Sequence, residues 1–257
     1  MNKGRYLATA DWHGCGKVGF EVLDSLGPND KLFYLGDCID RGSNGVELFD
    51  ALWEDPRVIM LRGNHEDMMR RAIPDLLEGR ETDDVELWLY YNGGIKTWNK
   101  LCSKSEQEIK KYCQRIDMMS NELSYISPKG HFVIMEHAGH TPFAPDLRKH
   151  DPLWDRTHFG DKWVQSDEAK HCYLVHGHTP VQYLKFMYGY VDQPTLTEQD
   201  LKDKLAWCTG GEISSKPEVI RYCDNHKFDI DMCTIASNRI AVLNLDTFET
   251  EYFDAED

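Results

Sequence analysis

Short apolar runs punctuate the first third of the chain at regular intervals. YLATA, KLFYLGD and RVIMLRGNHE are separated by amphipathic segments of helical length, FEVLDSL and GVELFDALWED. Strand-length runs without polar alternation predict strands buried on both faces, and helical segments between them make βαβ units. HFVIMEHAG and HCYLVHGHTP repeat the pattern later in the chain. Residues 66 to about 127 carry helical spacing instead, in EDMMRRAIPDLLEGRE, VELWLYYNGGIKTW and EQEIKKYCQRIDMM. They predict a helical cap beside a cleft, its first helix bent or interrupted at Pro74. Residues 181–230 are the least legible and predict a partly structured insertion. The end, RIAVLNLDTFETEYF, alternates around Asp246–Thr247 and predicts a β-hairpin closing a second sheet. The expectation is one domain over residues 1–257, of α/β class.

Composition narrows the setting. At 41% aliphatic, aromatic and sulfur residues the chain has enough for a sizeable core, and no run approaches the ~18 residues of a membrane span. MNKGRYLATADWHG leads straight into a strand, which leaves no room for a signal peptide and predicts a soluble, cytoplasmic protein. The net charge of −15 should repel nucleic acid, and by itself it reads as a solubilising surface. None of the eight cysteines forms a CxxC pair, so they read as reduced thiols packed as small hydrophobes. A zinc site from Cys208, Cys223 and Cys233 is the lesser alternative, because structural zinc ligands are usually spaced two to four apart.

Each apolar run ends in a polar motif, where α/β sheets build their ligand sites. Asp11 and His13 alternate in an extended segment and can project into one site. Asp37 and Asp40 are two carboxylates three apart in a tight loop, which repel unless cations answer them; a metal on Asp37 and a histidine on Asp40 would do so. After Gly63, Asn64 can offer an amide oxygen to a metal, and His65 is a natural proton donor. Arg41 and Arg62 suit a bidentate grip on phosphate. His137 and His178 supply further imidazoles, with His140 and His176 as near neighbours that spacing alone does not exclude. His178 is favoured because Gly177-His178-Thr179-Pro180 places it in a turn, while His176 reads as a packed histidine. Carboxylates, imidazoles and one amide suit two divalent first-row ions that polarise a phosphoryl group and activate water.

The ordered set DWHG, GDCIDRG, RGNHE, HAG and GHTP resembles the phosphoprotein phosphatase family of metallophosphoesterases, and most closely its bacterial and phage serine/threonine phosphatases. The resemblance spans most of residues 5–180. It implies the metallophosphoesterase fold, an α+β sandwich of two mixed β-sheets flanked by helices. It implies that Asp11, His13 and Asp37 bind one metal, and Asp37, Asn64, His137 and His178 the other, with Asp37 bridging. The metals would be Mn²⁺, or Fe²⁺ and Zn²⁺. Leu153-Trp154-Asp155-Arg156 resembles the family's LWxR segment, which would make Arg156 a third phosphate ligand beside Arg41 and Arg62. Three departures stand out: Cys38 where relatives often have an aromatic residue, HAG in place of HGG, and FDIDMCTIASNRI, which resembles the NIDTG strand without its glycines.

The expected activity is direct hydrolysis of a phosphomonoester by metal-activated hydroxide, with His65, oriented by Asp40, protonating the leaving alkoxide. The expected partner is a phosphoprotein or phosphopeptide. Diadenosine tetraphosphatases share the motifs, so a nucleotide substrate is the alternative. An inactive binding module is a minor one, since inactive relatives usually lose a ligand and here every matched ligand is present.

Overall fold

The computed structural model describes residues 4–143, 150–187 and 216–255. The three early apolar runs form β1 (Tyr6–Thr9), β2 (Lys31–Tyr34) and β3 (Val58–Met60), joined by helices α1 (Gly16–Ser25) and α2 (Gly45–Glu54). The strands pair in parallel, as two βαβ units require. The later runs form β5 (Phe132–Glu136) and β6 (Cys172–His176), again parallel. The helical segment holds α3 (Asn64–Leu77), α4 (Asp83–Glu86), a π-type turn at Leu87–Tyr91, α5 (Ile95–Leu101) and α6 (Glu106–Asp117). Its last residues are not helical: Glu122–Ile126 form β4, antiparallel to β5. Pro74 does not end α3, which runs on to Leu77.

Two expectations about the C-terminal third change. Of the segment read as an insertion, Val181–Met187 are helix α7, residues 188–215 lie outside the described residues, and the remainder enters the second sheet as β7 (Ile220–Tyr222) and β8 (Lys227–Asp229). β8 is an interior strand, parallel to β6, and its three residues are all buried. The hairpin β9 (Arg239–Asn244) and β10 (Thr250–Asp254) does form, but it closes the first sheet, with β9 antiparallel to β1. Five of the six residues of β9 are buried, so it needs cover on both faces and takes the open edge of β1. The sheet orders are β10-β9-β1-β2-β3 and β4-β5-β6-β8-β7.

The sheets pack face to face through Ala8, Phe33, Leu35, Val133, Met135, Val175, Phe228 and Leu243. Helices α1, α2, α3, α5 and α6 cover the other face of the first sheet around Trp12, Phe49, Trp88 and Ile116. This is an α/β sandwich of two mixed sheets flanked by helices. No helix among the described residues is long and apolar enough to cross a membrane. Neither Cys223 nor Cys233 is in a disulfide, and Cys208, the third residue of the zinc alternative, lies outside the described residues.

Candidate metal and phosphate site

The ends of β1, β2 and β3 from one sheet, and of β5, β6 and β8 from the other, meet at one place. Asp11, His13, Asp37, Asp40, Asn64, His65, His137 and His178 are all buried there. Six site residues hold left-handed backbone: Asp11 (φ 58°), His13 (43°), Asp37 (61°), Asp40 (70°), Arg41 (59°) and His178 (67°). Such conformations cost non-glycine residues roughly 1 kcal/mol or more each and persist where the surroundings impose them. Here the loops brace one another: Asp11 N–H donates to the Gly36 carbonyl at 3.0 Å and His13 N–H to that of Asp37 at 3.0 Å.

Glu66 does most of the bracing. Its carboxylate accepts the N–H groups of Asp37 (2.8 Å), Cys38 (2.9 Å) and Gly63 (3.0 Å), so one buried side chain clamps two loops. Gly63 serves by closeness: its φ is −98°, and a Cβ there would lie 2.1 Å from Asp37 Oδ1. It caps α3 directly, which puts Asn64 and His65 on the first helical turn instead of in a loop.

The donor atoms converge as a metal pair would need. His13 Nδ1 donates to the Ile39 carbonyl and His137 Nδ1 to that of Leu35, leaving both Nε2 atoms toward the centre. Asp37 Oδ2 lies 3.7 Å from His13 Nε2 and 3.4 Å from His137 Nε2, between the two. Asn64 Oδ1 lies 2.8 Å from His137 Nε2 and 3.0 Å from His178 Nδ1. Asp37, His137 and His178 form one cluster of candidate ligands, and His13, Asp37 and His65 a second. Asp11 touches the cluster through its Oδ2, which accepts the His178 N–H at 3.0 Å. Its Oδ1 and the Nε2 of His178 are buried without hydrogen-bond partners, and such atoms are costly unless something binds them. These residues fit a pair of divalent cations.

The electrostatics agree. Burial, together with Asp231 and Asp37, pushes the Asp11 carboxyl well above its ordinary range. Burial acts against ionising Asp37, yet the imidazoles of His137, His65 and His13 hold its carboxyl well below that range. Burial and the Arg41 charge lower His13, and burial and His137 lower His178, which keeps both imidazoles neutral and free to ligate.

Beside these groups sits a histidine–carboxylate pair. His65 Nδ1 donates to Asp40 Oδ2 at 2.8 Å, and the same oxygen accepts Trp88 Nε1 at 2.9 Å. Thr97 Oγ1 donates to Asp40 Oδ1 at 2.6 Å. Arg41 reaches His13 Nε2 and His65 Nε2, both at 2.9 Å. Arg156 donates to Thr179 Oγ1 (3.1 Å) and the His178 carbonyl (3.3 Å), at the rim of the same cluster. Arg62 is turned elsewhere, with Nη2 on the Met119 carbonyl, Nη1 3.6 Å from Asp67, and Nε buried without a hydrogen-bond partner. Of the neighbouring histidines, His176 bonds Tyr222 Oη at 2.7 Å and His140 bonds Glu136 at 2.8 Å.

Two groups escaped the sequence reading. Trp88 and Thr97 come from the helical segment, which carries no motif, yet they fasten Asp40. Asp229 ends β8 and Asp231 follows it, both buried, and Asp231 is pushed up to about 6 by burial and nearby Asp37, against Arg41. The alternating carboxylates in FDID were their one visible signal.

Comparison with solved structures returns the same fold on proteins of different description. A candidate diadenosine tetraphosphatase is 13% identical, with a TM-score of 0.58 over 99% of this chain and 95% of its own. A serine/threonine phosphatase from Saccharomyces cerevisiae with similarity to human PP5 is 13% identical, with a TM-score of 0.56 over 99% of this chain and 81% of its own. A cold-active protein tyrosine phosphatase is 14% identical, with a TM-score of 0.50 over 98% and 79%. These likenesses carry the fold and select no substrate. The profile of calcineurin-like phosphoesterases matches residues 4–229, and the chain belongs to that family of metal-dependent phosphoester hydrolases.

Proposed function

We propose that the protein hydrolyses phosphomonoesters as a serine/threonine protein phosphatase, acting on phosphoprotein or phosphopeptide substrates. The observation that carries this reading is the His65–Asp40 pair, set between Arg41 and the metal ligands. Asp11, His13, Asp37, Asn64, His137 and His178 would hold two divalent ions, Mn²⁺ in the first instance, with Asp37 shared between them. When bound, those ions supply Lewis acidity and an activated water.

The chain's own residues do the rest. Arg41 and Arg156 grip phosphoryl oxygens and offset the charge that builds on them, with Arg62 joining once it releases Met119. Asp40, held by three donors, fixes the His65 ring with Nδ1 toward the carboxylate, so Nε2 delivers the proton to the leaving alkoxide. Attack by water in line with the leaving oxygen needs no serine or cysteine nucleophile.

A nucleotide substrate is the second reading. Tyr90 and Tyr91 are 71% and 73% exposed, close in sequence to Gly93, whose carbonyl accepts the Arg41 N–H. Exposed aromatic rings near a phosphate-gripping arginine would suit a base. The net charge of −15 weighs against a polyphosphate. Rates on a phosphoserine peptide, a phosphotyrosine peptide and diadenosine tetraphosphate with Mn²⁺ decide the matter; faster turnover of the nucleotide overturns the first reading. Asn64→Ala and His65→Asn should each lower kcat at least roughly a hundredfold. Full turnover by either variant, or a trapped covalent phosphoenzyme, would sink the mechanism.

A further inference from the structure

Away from this centre, the outer face of the second sheet gathers another set of ligating groups. Side chains alternate along β5: Val133 and Met135 face the first sheet, while Ile134 packs on the outer side. His137 continues the inner series and reaches the Leu35 carbonyl; Glu136 belongs to the outer one. Neighbours in sequence, the two serve different places.

Glu136 is 1% exposed, and two imidazoles meet its carboxylate. His140 Nδ1 meets Oε2 at 2.8 Å, and His150 Nε2 lies 3.4 Å from Oε1. The two rings stack with centroids 4.6 Å apart, and one ligand atom from each of the three residues falls within 4.8 Å of the others. Directly across the antiparallel register from Glu136 stands Glu122, with its carboxyl in hydrogen-bonding reach. Two carboxyl groups opposed in this way share either a proton or a cation, since both ionised would repel.

We propose that Glu136, His140, His150 and Glu122 bind one divalent transition ion of the Zn²⁺ class, at a site separate from the candidate metal pair. Two imidazole nitrogens and two carboxylate oxygens are a zinc-type set, and softer thiolates are not needed. Glu122 is exposed, which gives the ion a path from solvent, while Glu136 anchors it from below. The ion would tie three segments together: β4, β5 with its following loop, and the stretch that starts at His150. That stretch packs back on β5 through the Pro152 carbonyl, which accepts the Ala138 N–H at 2.9 Å, and it leads to Arg156. The ion is therefore structural and holds the arm that presents Arg156.

Metal content tests this. Full-length protein is loaded with Mn²⁺ and Zn²⁺, passed through gel filtration and assayed by elemental analysis, beside a His140→Ala/His150→Ala double variant. The parent should retain one more ion per molecule than the variant, and Glu122→Gln should weaken retention of that ion roughly tenfold or more. Equal metal content in parent and double variant, with unchanged circular dichroism, overturns the proposal. Should the double variant fail to fold, Glu122→Gln and His150→Gln at their accessible positions carry the same comparison. Asn64→Ala keeps this reading apart from that of the metal pair: if the pair does not exist, Asn64→Ala changes no metal content, while the one-ion difference persists.

Discussion

The two sheets contribute unequal halves to the site. The half at the ends of β1, β2 and β3 is bonded to itself: Glu66 accepts three backbone N–H groups, and Asp40 accepts from His65, Trp88 and Thr97. The half at the ends of β6 and β8 is bonded more locally, Asp229 Oδ1 accepting the Asp231 N–H and Asp231 Oδ1 that of Cys233, each two residues on. His178 Nε2 and Asp229 Oδ2 are buried without hydrogen-bond partners, and burial with Asp231 pushes the Asp229 carboxyl well up. The first arrangement holds His65 and Arg41 in register before any ligand arrives. The second is completed by what binds to it.

The hardest test of that contrast compares two glycines. A Cβ on Gly63 would meet Asp37 Oδ1 at 2.1 Å and its backbone nitrogen at 2.5 Å, so Gly63→Ala must move main chain. We expect a loss of about 3 kcal/mol or more in thermal or urea melts. A Cβ on Gly177 would meet Asp11 Oδ2 at 2.0 Å, a side-chain atom that can swing away, and Ala10 Cβ at 2.7 Å, which moves only with its backbone. Gly177→Ala should therefore cost metal retention as well as stability, with a smaller melting loss than Gly63→Ala, and equal melting losses in the two variants would erase the distinction.

Chelation separates the halves in another way. Removing bound metal should speed amide exchange at 177–179 and 229–233 and leave 37–42 protected, as read by hydrogen-exchange mass spectrometry. Uniform deprotection would show that the first half also depends on cations. A smaller effect is expected from Trp88→Phe, which takes one of three donors from Asp40: kcat falls roughly tenfold with KM little changed. An unaltered kcat would leave the indole a packing residue only.

A separate, pH-dependent effect lies in the second sheet. Burial lowers the Lys227 ammonium to about 8, while Thr141 Oγ1 at 2.6 Å and the His158 carbonyl at 3.1 Å accept its hydrogens. The unfolded chain keeps that proton up to about pH 10. Between these values the unfolded state binds more protons, so stability rises with pH there, and below about 8 the contribution is flat and unfavourable. Urea melts across that window should show the rise, and Lys227→Met should remove it. A slope that survives the substitution would locate its source elsewhere.

Much of the site could be read from the chain because its chemistry is local in sequence. Asp37, Asp40 and Arg41 share one loop, Asn64 and His65 one helical turn, and each follows an apolar run that could only be a strand. What escaped was long-range. Asp40 is 48 residues from Trp88 and 57 from Thr97, and the π-type turn that aims Trp88 has no sequence signature. Asp229 and Asp231 were hidden for a different reason: β8 is three residues long, too short for periodicity to register. The C-terminal hairpin was visible, but its place was not, because an apolar strand announces burial without naming the edge it will cover.

That edge has a consequence for how the protein is made. Leu7 pairs with Asn244, so the strand that leads into Asp11 and His13 waits for a strand made after every residue of the candidate site before its neighbour arrives. Until then the edge of β1 stands open, and an unpaired apolar strand edge is a template for the wrong partner. Folding of the first sheet is thus a late event set by β9, and a substitution that keeps β9 from pairing should harm yield although it touches no residue of the site.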